Sequence, residues 1–317
     1  MAPTTLLTMF NLRPELREKL AARHRLLGPL ASPAGQLAGD EHAGDIRVAV
    51  TLGHIPFGAV LMDALPNLGL IAVYGAGYEN VDLAAAEARG VQVTNGAAGN
   101  ASCVADAAMA LLLAVVMRLP QADALVRGGS WDRIPPQNWR RQPGIGAKRM
   151  GIVGLGNIGS RIAVRAQAFE LEIGYHNRAR RSDVAYRYFS SVPELAHWAD
   201  YLVVAAPGSA ATQAMIDADV LRALGRGGYL INIARGSLVD QAALIAALEA
   251  GEIAGAGLDV YADEPHVSAA LRSAPNTVLT PHVAGFSARA AKNLDELLLE
   301  NIAAFLEGRA LATKVSR

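Results

Sequence analysis

The sequence predicts an α/β protein made of two parallel-sheet blocks. Three observations carry that expectation. Short apolar runs alternate with segments of helical periodicity along the 317-residue chain. One run, Met150 to Val153, opens into Gly154-Leu155-Gly156-Asn157-Ile158-Gly159, the pattern G-x-G-x-x-G. Ile158, Ile162, Ala163 and Ala166 then recur at helical spacing. Hydrophobic residues make up 52% of the chain and charged residues 18%, so a sizeable core can be buried.

In the first block, strands are predicted over Thr4 to Met9, Ile46 to Thr51, Leu68 to Val73 and Val91 to Thr94. Helices are predicted over Arg13 to Arg23, with Leu16, Leu20 and Ala21 on one face, and over Asp82 to Arg89. A long helix follows from Ser102 to Leu119. It is apolar nearly all round, so it must be buried on several sides. Gly128 to Gln142, with Trp131, Trp139 and Pro135-Pro136, reads as irregular. The second block starts at the glycine stretch. Its further strands are Leu171 to His176, Tyr201 to Ala206, Gly228 to Ala234, Gly255 to Val260 and Thr277 to Thr280. Its helices are Val192 to Trp198, Asp217 to Leu224 and Asp240 to Ala250. Ser287 to Glu307 is a last helix with Leu294, Leu298, Ile302 and Phe305 along one stripe.

Bulk properties exclude several classes. Lys plus Arg and Asp plus Glu are both 29, which gives no overall pull toward nucleic acid or an anionic membrane. Cys103 is the single cysteine, so no disulfide framework is possible, and no His, Cys and Asp cluster has metal-ligand spacing. The first residues do not read as a signal peptide, and the run Ala107 to Met117 is too short for a bilayer. The expectation is a cytoplasmic protein with no membrane and no nucleic-acid partner.

The glycine stretch points to a bound dinucleotide. Gly154 permits a tight turn, Gly156 lets a pyrophosphate approach the backbone, and Gly159 lets the helix pack close. Leu155, Asn157 and Ile158 belong to the same cradle, at a helix N-terminus that favours anions. At the end of the next strand an acid would hold a ribose 2′-hydroxyl. The chain instead has Asn177-Arg178-Ala179-Arg180-Arg181. An acid would repel a 2′-phosphate and arginine would attract one, so Asn177, Arg178 and Arg180 predict NADPH over NADH, with NADH usable. Ligands in parallel sheets bind beyond the carboxyl ends of strands. Arg235, Glu264 and His282 all follow strands. Together they offer a guanidinium for a carboxylate and an acid–imidazole pair for proton transfer, the set that hydride transfer to a 2-oxo acid requires.

These motifs, with Tyr74-Gly75-Ala76-Gly77-Tyr78-Glu79-Asn80-Val81-Asp82, Asn232 to Asp240, Gly257-Leu258-Asp259-Val260 and Thr280-Pro281-His282-Val283-Ala284-Gly285, resemble the D-isomer-specific 2-hydroxyacid dehydrogenases. Within that family they resemble the bacterial glyoxylate/hydroxypyruvate reductases. The resemblance implies two Rossmann-like or flavodoxin-like parallel-sheet domains with the active site in the cleft between them. Residues 1–98 and 289–317 would form the substrate domain and 99–288 the dinucleotide domain. It implies His282 as general acid/base, Glu264 as its partner and Arg235 as ligand of the substrate carboxylate and carbonyl. The loop Tyr74, Gly75, Ala76 and Gly77 would bind substrate, with backbone N–H groups at Ala76 and Gly77. Ala206, Pro207, Ala234, Arg235, Asp259, His282 and Gly285 would line the cofactor, Asp259 near the nicotinamide. The helix from Ser102 and the segment with Trp139 would form a homodimer interface.

The sequence departs from the family at two places: Asn95-Gly96-Ala97 replaces Asn-Thr-Pro, and Pro207-Gly208-Ser209 replaces Pro-Leu-Thr. The expected reaction is reduction of a small 2-oxo acid to the D-2-hydroxy acid. A phosphoglycerate dehydrogenase-like enzyme and a nucleotide-sensing, corepressor-like binding protein are the alternatives.

Overall fold

The computed structural model describes residues 3–30, 37, 42–96, 99–131 and 144–315. Trp139 and Ala97 lie outside the described residues. The chain divides into two units, Met1–Asn100 with Ser287–Arg317, and Ala101–Phe286.

The first unit holds β1 (Thr5–Thr8), β2 (Arg25–Leu27), β3 (Ile46–Thr51), β4 (Leu70–Val73) and β5 (Gln92–Thr94). They form one parallel sheet in the order β2-β1-β3-β4-β5. Parallel strands read as continuous apolar runs because both faces are covered. On one face Leu7, Ala49 and Ile71 pack with Phe57, Leu61 and Met62. On the other, Leu6, Val48, Val50 and Leu70 pack with Leu16 and Leu20 of helix Pro14–Ala21 and with Leu298 and Ile302 of the C-terminal helix Ala288–Leu306. The last helix therefore completes the core of the first strands. A buried polar contact fixes it there: Asp295 accepts from Arg13 at 2.5 Å and from the Tyr74 hydroxyl at 3.0 Å.

The second unit holds β6 (Arg149–Val153), β7 (Glu172–His176), β8 (Arg187–Tyr188), β9 (Tyr201–Val204), β10 (Tyr229–Asn232), β11 (Gly255–Leu258) and β12 (Thr277–Leu279). The order is β12-β11-β10-β9-β6-β7-β8, with the strand pairs parallel. From β6 the chain first builds outward through β7 and β8, then crosses back to β9. The strand order thus reverses between β6 and β9, the point where open α/β sheets bind ligands.

The predicted helix Ser102 to Leu119 is two helices, Ala101–Val116 and Leu119–Arg127, bent by 62°. Arg118 between them takes a left-handed backbone, φ 52°. The first helix buries Val104, Ala108, Leu111, Leu112, Val115 and Val116 inside its own unit. Gly255 and Gly257 of β11 admit it: a Cβ on either would lie 3.0 Å from Val115 or Leu111. Cys103, Ala107, Ala110, Leu113 and Ala114 stay partly or fully exposed along the other side of the helix. No single helix is long and apolar enough to cross a membrane among the described residues.

Candidate active site and cofactor cradle

The three glycines of the turn after β6 have different surroundings. Gly154 has φ +98°, and a Cβ there would lie 2.6 Å from the Ala206 backbone nitrogen, beyond β9. A Cβ on Gly159 would lie 2.1 Å from the Gly154 carbonyl oxygen. These two positions let the turn and helix Asn157–Gln167 close onto the sheet. Gly156 differs: a Cβ there meets nothing within 4 Å. Its bareness serves no protein contact and keeps backbone accessible beside a helix start that has no side-chain cap. A pyrophosphate needs such a place.

Asn177, at the end of β7, accepts the Leu155 N–H at 2.7 Å and ties that strand end to the glycine turn. The cations after it divide. Arg178 and Arg180 are exposed. Arg181 donates to the Leu155 carbonyl at 2.8 Å and to the Ser160 hydroxyl at 2.9 Å, and pairs with Asp183. Arg181 is therefore a brace of the turn, and the basic cluster is reduced by one for any 2′-phosphate.

Arg235 follows β10 on a loop clamped by buried Asn232, whose amide donates to the Arg235 carbonyl at 2.9 Å and accepts the Ala234 N–H at 3.1 Å. The neighbouring Gly236 packs so tightly that a Cβ would lie 1.8 Å from the Tyr261 carbonyl. The departure at Gly208 bears on the same side chain. A Cβ there would lie 3.0 Å from Arg235 Cγ, so glycine leaves room for the arginine stem.

The Tyr261 N–H donates to Glu264 Oε1 at 2.9 Å. The other Glu264 oxygen meets His282 Nδ1 at 2.7 Å. Burial pushes the Tyr261 phenol up to about 12, with the charges of Asp259 and Glu264 adding, so it stays a neutral donor. It uses that proton on the Thr280 carbonyl at 2.8 Å, just before His282.

His282 itself has φ +54°, a left-handed conformation that costs a β-carbon residue energy. Asp259 holds it there. Oδ1 accepts the Thr280 hydroxyl at 2.6 Å and the Val283 N–H at 2.9 Å, and Oδ2 accepts the Ala284 N–H at 2.8 Å. Asp259 is 1% exposed. Its carboxylate is turned inward and shapes the histidine loop, which is where the sequence placed it near the nicotinamide. Asn232 and Asp259 were legible as oddities, since each is a polar residue ending an otherwise apolar strand. Among the described residues no three His, Cys, Asp or Glu side chains are grouped to hold a metal ion.

In the first unit, Tyr74 holds the last helix. Its hydroxyl is committed to Asp295, and burial together with that bond raises its pKa. The side chain thereby anchors the C-terminal helix. The following loop is tied back by its carbonyls. Gly96 N–H donates to the Gly75 carbonyl at 2.5 Å, and Asn95 Nδ2 to the Ala76 carbonyl at 2.8 Å. Among the described residues, the N–H groups of Ala76 and Gly77 donate to no protein acceptor. The departure at Gly96 fits locally: a Cβ would lie 2.5 Å from Leu294 and 2.9 Å from the Gly75 nitrogen.

A seven-stranded parallel sheet with this turn at its switch point, and an acid–imidazole pair beyond β11 and β12, define an NAD(P)-dependent oxidoreductase. Residues 109–284 match the NAD-binding domain of the D-isomer-specific 2-hydroxyacid dehydrogenases. The chain belongs to that family. Glyoxylate/hydroxypyruvate reductase A of Arabidopsis thaliana is 38% identical over 309 residues, covering 98% of each chain. A 2-ketogluconate reductase of Gluconobacter oxydans is 38% identical over 85% of this chain and 86% of its own. Among solved structures, an NADPH-dependent glyoxylate/hydroxypyruvate reductase from Sinorhizobium meliloti, in complex with NADP and malonate, superposes with a TM-score of 0.90. It is 37% identical over 100% of this chain and 97% of its own.

Proposed function

We propose that this chain reduces small 2-oxo acids, glyoxylate and hydroxypyruvate among them, to D-2-hydroxy acids, with NADPH preferred over NADH. The observation that carries the reading is the Glu264–His282 contact of 2.7 Å on a loop that Asp259 fixes. Glu264 takes Nδ1, so Nε2 is the nitrogen that gives a proton to the substrate carbonyl oxygen. Arg235 grips the substrate carboxylate and polarises the carbonyl. The N–H groups of Ala76 and Gly77 hold the carboxylate as well. The unit of β1–β5 is the substrate-binding part and the unit of β6–β12 the dinucleotide-binding part.

The turn Gly154 to Gly159 would hold the pyrophosphate, Asn177, Arg178 and Arg180 the adenosine ribose end, and Ala206, Pro207, Ala234 and Gly285 the remaining wall. When bound, the reduced dinucleotide supplies the hydride. The molecule works as a homodimer in the cytoplasm, where a chain with one cysteine needs no disulfide. The test is a panel of 2-oxo acids assayed with NADPH and with NADH. The reading expects turnover of glyoxylate and hydroxypyruvate, fastest with NADPH. Dinucleotide binding without turnover of any 2-oxo acid would point to a sensing protein instead.

A further inference from the structure

The C-terminal tail is stitched to the loop whose Ala76 and Gly77 N–H groups meet no acceptor among the described residues. The Thr313 hydroxyl donates to the Asn95 carbonyl at 2.6 Å and accepts from Asn301 Nδ2 at 2.9 Å. Asn301 is 2% exposed, and its Oδ1 accepts the N–H groups of Ala312 at 2.9 Å and Thr313 at 3.3 Å. Asn95 N–H donates back to the Thr313 carbonyl at 3.3 Å. Lys314 forms an antiparallel bridge with Thr94, and Val315 N–H donates to the Val93 carbonyl at 2.8 Å. The tail thus pairs with the end of β5, and Asn95 is held on both sides of its backbone by one residue.

This matters because of peptide geometry. The Ala76 carbonyl and the Gly77 N–H belong to one planar, trans peptide and point in opposite directions. Fixing the carbonyl aims the N–H. Asn95 Nδ2 fixes the Ala76 carbonyl, and Gly96 N–H fixes the Gly75 carbonyl, which aims the Ala76 N–H. Gly77 is backed as well: a Cβ on Gly53 would lie 2.1 Å from the Gly77 carbonyl oxygen. Both donors are therefore aimed by the pair Asn95-Gly96. That pair in turn hangs on Thr313.

We propose that Thr313, acting through Asn95 and with Asn301 behind it, is a positioning residue for substrate. The C-terminal strap sets the direction of the two N–H groups that take the 2-oxo acid's carboxylate. The proposal rests on the reading of the loop as a carboxylate-binding loop. Leu311 and Val315 of the tail pack against the cores of this unit, but between them Thr313 joins a polar network, with Asn301 and Asn95 buried, that leads to the Ala76 carbonyl. Loosening it lets Asn95 pivot and the Ala76–Gly77 peptide turn, without touching Arg235, His282 or the dinucleotide turn.

The experiment measures KM and kcat for glyoxylate, and KM for NADPH, in Thr313→Val, which keeps shape and removes the hydroxyl. KM for glyoxylate should rise roughly five- to thirtyfold, the worth of one or two net hydrogen bonds. KM for NADPH should stay within about twofold, and kcat should fall less than KM rises. Thr313→Ser should restore KM. Asn95→Asp, which replaces the donor facing the Ala76 carbonyl by an acceptor, should raise the same KM with Thr313 intact. Ala76→Pro removes one of the two donors and tests the loop itself. A raised KM in Ala76→Pro with Thr313→Val and Asn95→Asp unchanged would overturn the strap and leave the loop reading standing. An unchanged KM in a folded Ala76→Pro would remove the loop reading and the strap with it. A Thr313→Val whose two KM values and kcat shift together with its melting temperature, unrescued by serine, would reduce the tail to a structural role.

Discussion

His282 stands on a backbone that histidine takes only under constraint, φ +54°, and three hydrogen bonds to Asp259 supply that constraint. The side chain is thereby delivered to Glu264 without depending on its own loop to hold still. Removal of the imidazole should cost chemistry and spare binding. His282→Ala should lower kcat by about 10²–10⁴-fold, the usual weight of one general acid, with dinucleotide affinity near normal. Arg235→Ala should lose roughly 2–5 kcal/mol in kcat/KM, much of it through KM, because a substrate carboxylate is left unpaired. Steady-state kinetics with glyoxylate check both. Cofactor choice is also decided residue by residue. With Arg181 spent on the glycine turn and Asp183, Arg178 and Arg180 are the cations left for a 2′-phosphate. Asn177→Asp keeps the acceptor for Leu155 N–H and adds a charge that repels the phosphate. Combined with Arg178→Ala, it should weaken NADPH by roughly ten- to hundredfold and leave kcat nearly unchanged. An unaltered NADPH-to-NADH ratio of kcat/KM would show the loop to be solvated surface.

At the scale of elements, the glycine turn separates packing from binding. Gly159→Ala places a Cβ 2.1 Å from the Gly154 carbonyl, whereas Gly156→Ala meets no protein atom within 4 Å. Gly159→Ala should lower the melting temperature and weaken the dinucleotide. Gly156→Ala should hold its melting temperature and lose only dinucleotide affinity, read by thermal unfolding and by titration with NADPH. Asp200 joins the starts of β6 and β9, accepting Arg149 N–H at 2.9 Å and Arg149 Nε at 3.2 Å. Burial pushes its carboxyl up, but the hydrogen bonds and charges of Arg149 and Lys148 outweigh burial and hold it below its ordinary value. A carboxyl depressed in the folded state adds stability above its unfolded pKa, and that stability is lost as pH falls through the folded one. Asp200→Asn should therefore melt earlier at pH 7, by about 1 kcal/mol, and approach the unmodified protein on acidification below about pH 4. The long, fully covered strands of β3, β6, β9 and β10 were legible because both faces demand apolar residues. β2, β8 and the helices Ala59–Asp63 and Ala269–Ser273 were not, because two to five residues show no period. Arg235, Glu264 and His282 could be picked out by residue type at strand ends. The inward turn of Asp259 and Tyr74 could not, since residue type does not say which way a carboxylate or a phenol faces.

For the whole molecule, assembly is the property that one chain's sequence expresses least directly. An all-round apolar helix reads the same whether its partner is another subunit or its own sheet; helix Ala101–Val116 buries Val104, Ala108, Leu111, Leu112 and Val115 in its own unit and leaves Cys103, Ala107, Ala110, Leu113 and Ala114 partly or fully exposed. A run of exposed apolar side chains begins at the bend. Met117 is 43% exposed, Leu119 46%, Val126 58% and Trp131 77%. Four large apolar side chains within fifteen residues of chain make a surface that water covers poorly, and a second copy of the same surface is the simplest self-complementary cover. A homodimer interface is therefore expected to include Leu119–Arg127 and Trp131 beside the partly exposed side of the preceding helix. Sedimentation at micromolar concentration should give a dimer for the unmodified protein and a monomer for Val126→Asp combined with Trp131→Asp. Leu111→Ala, inside the unit, should instead cost about 2–5 kcal/mol of stability and leave the dimer intact. A unmodified protein that sediments as a stable monomer would leave the patch without this partner.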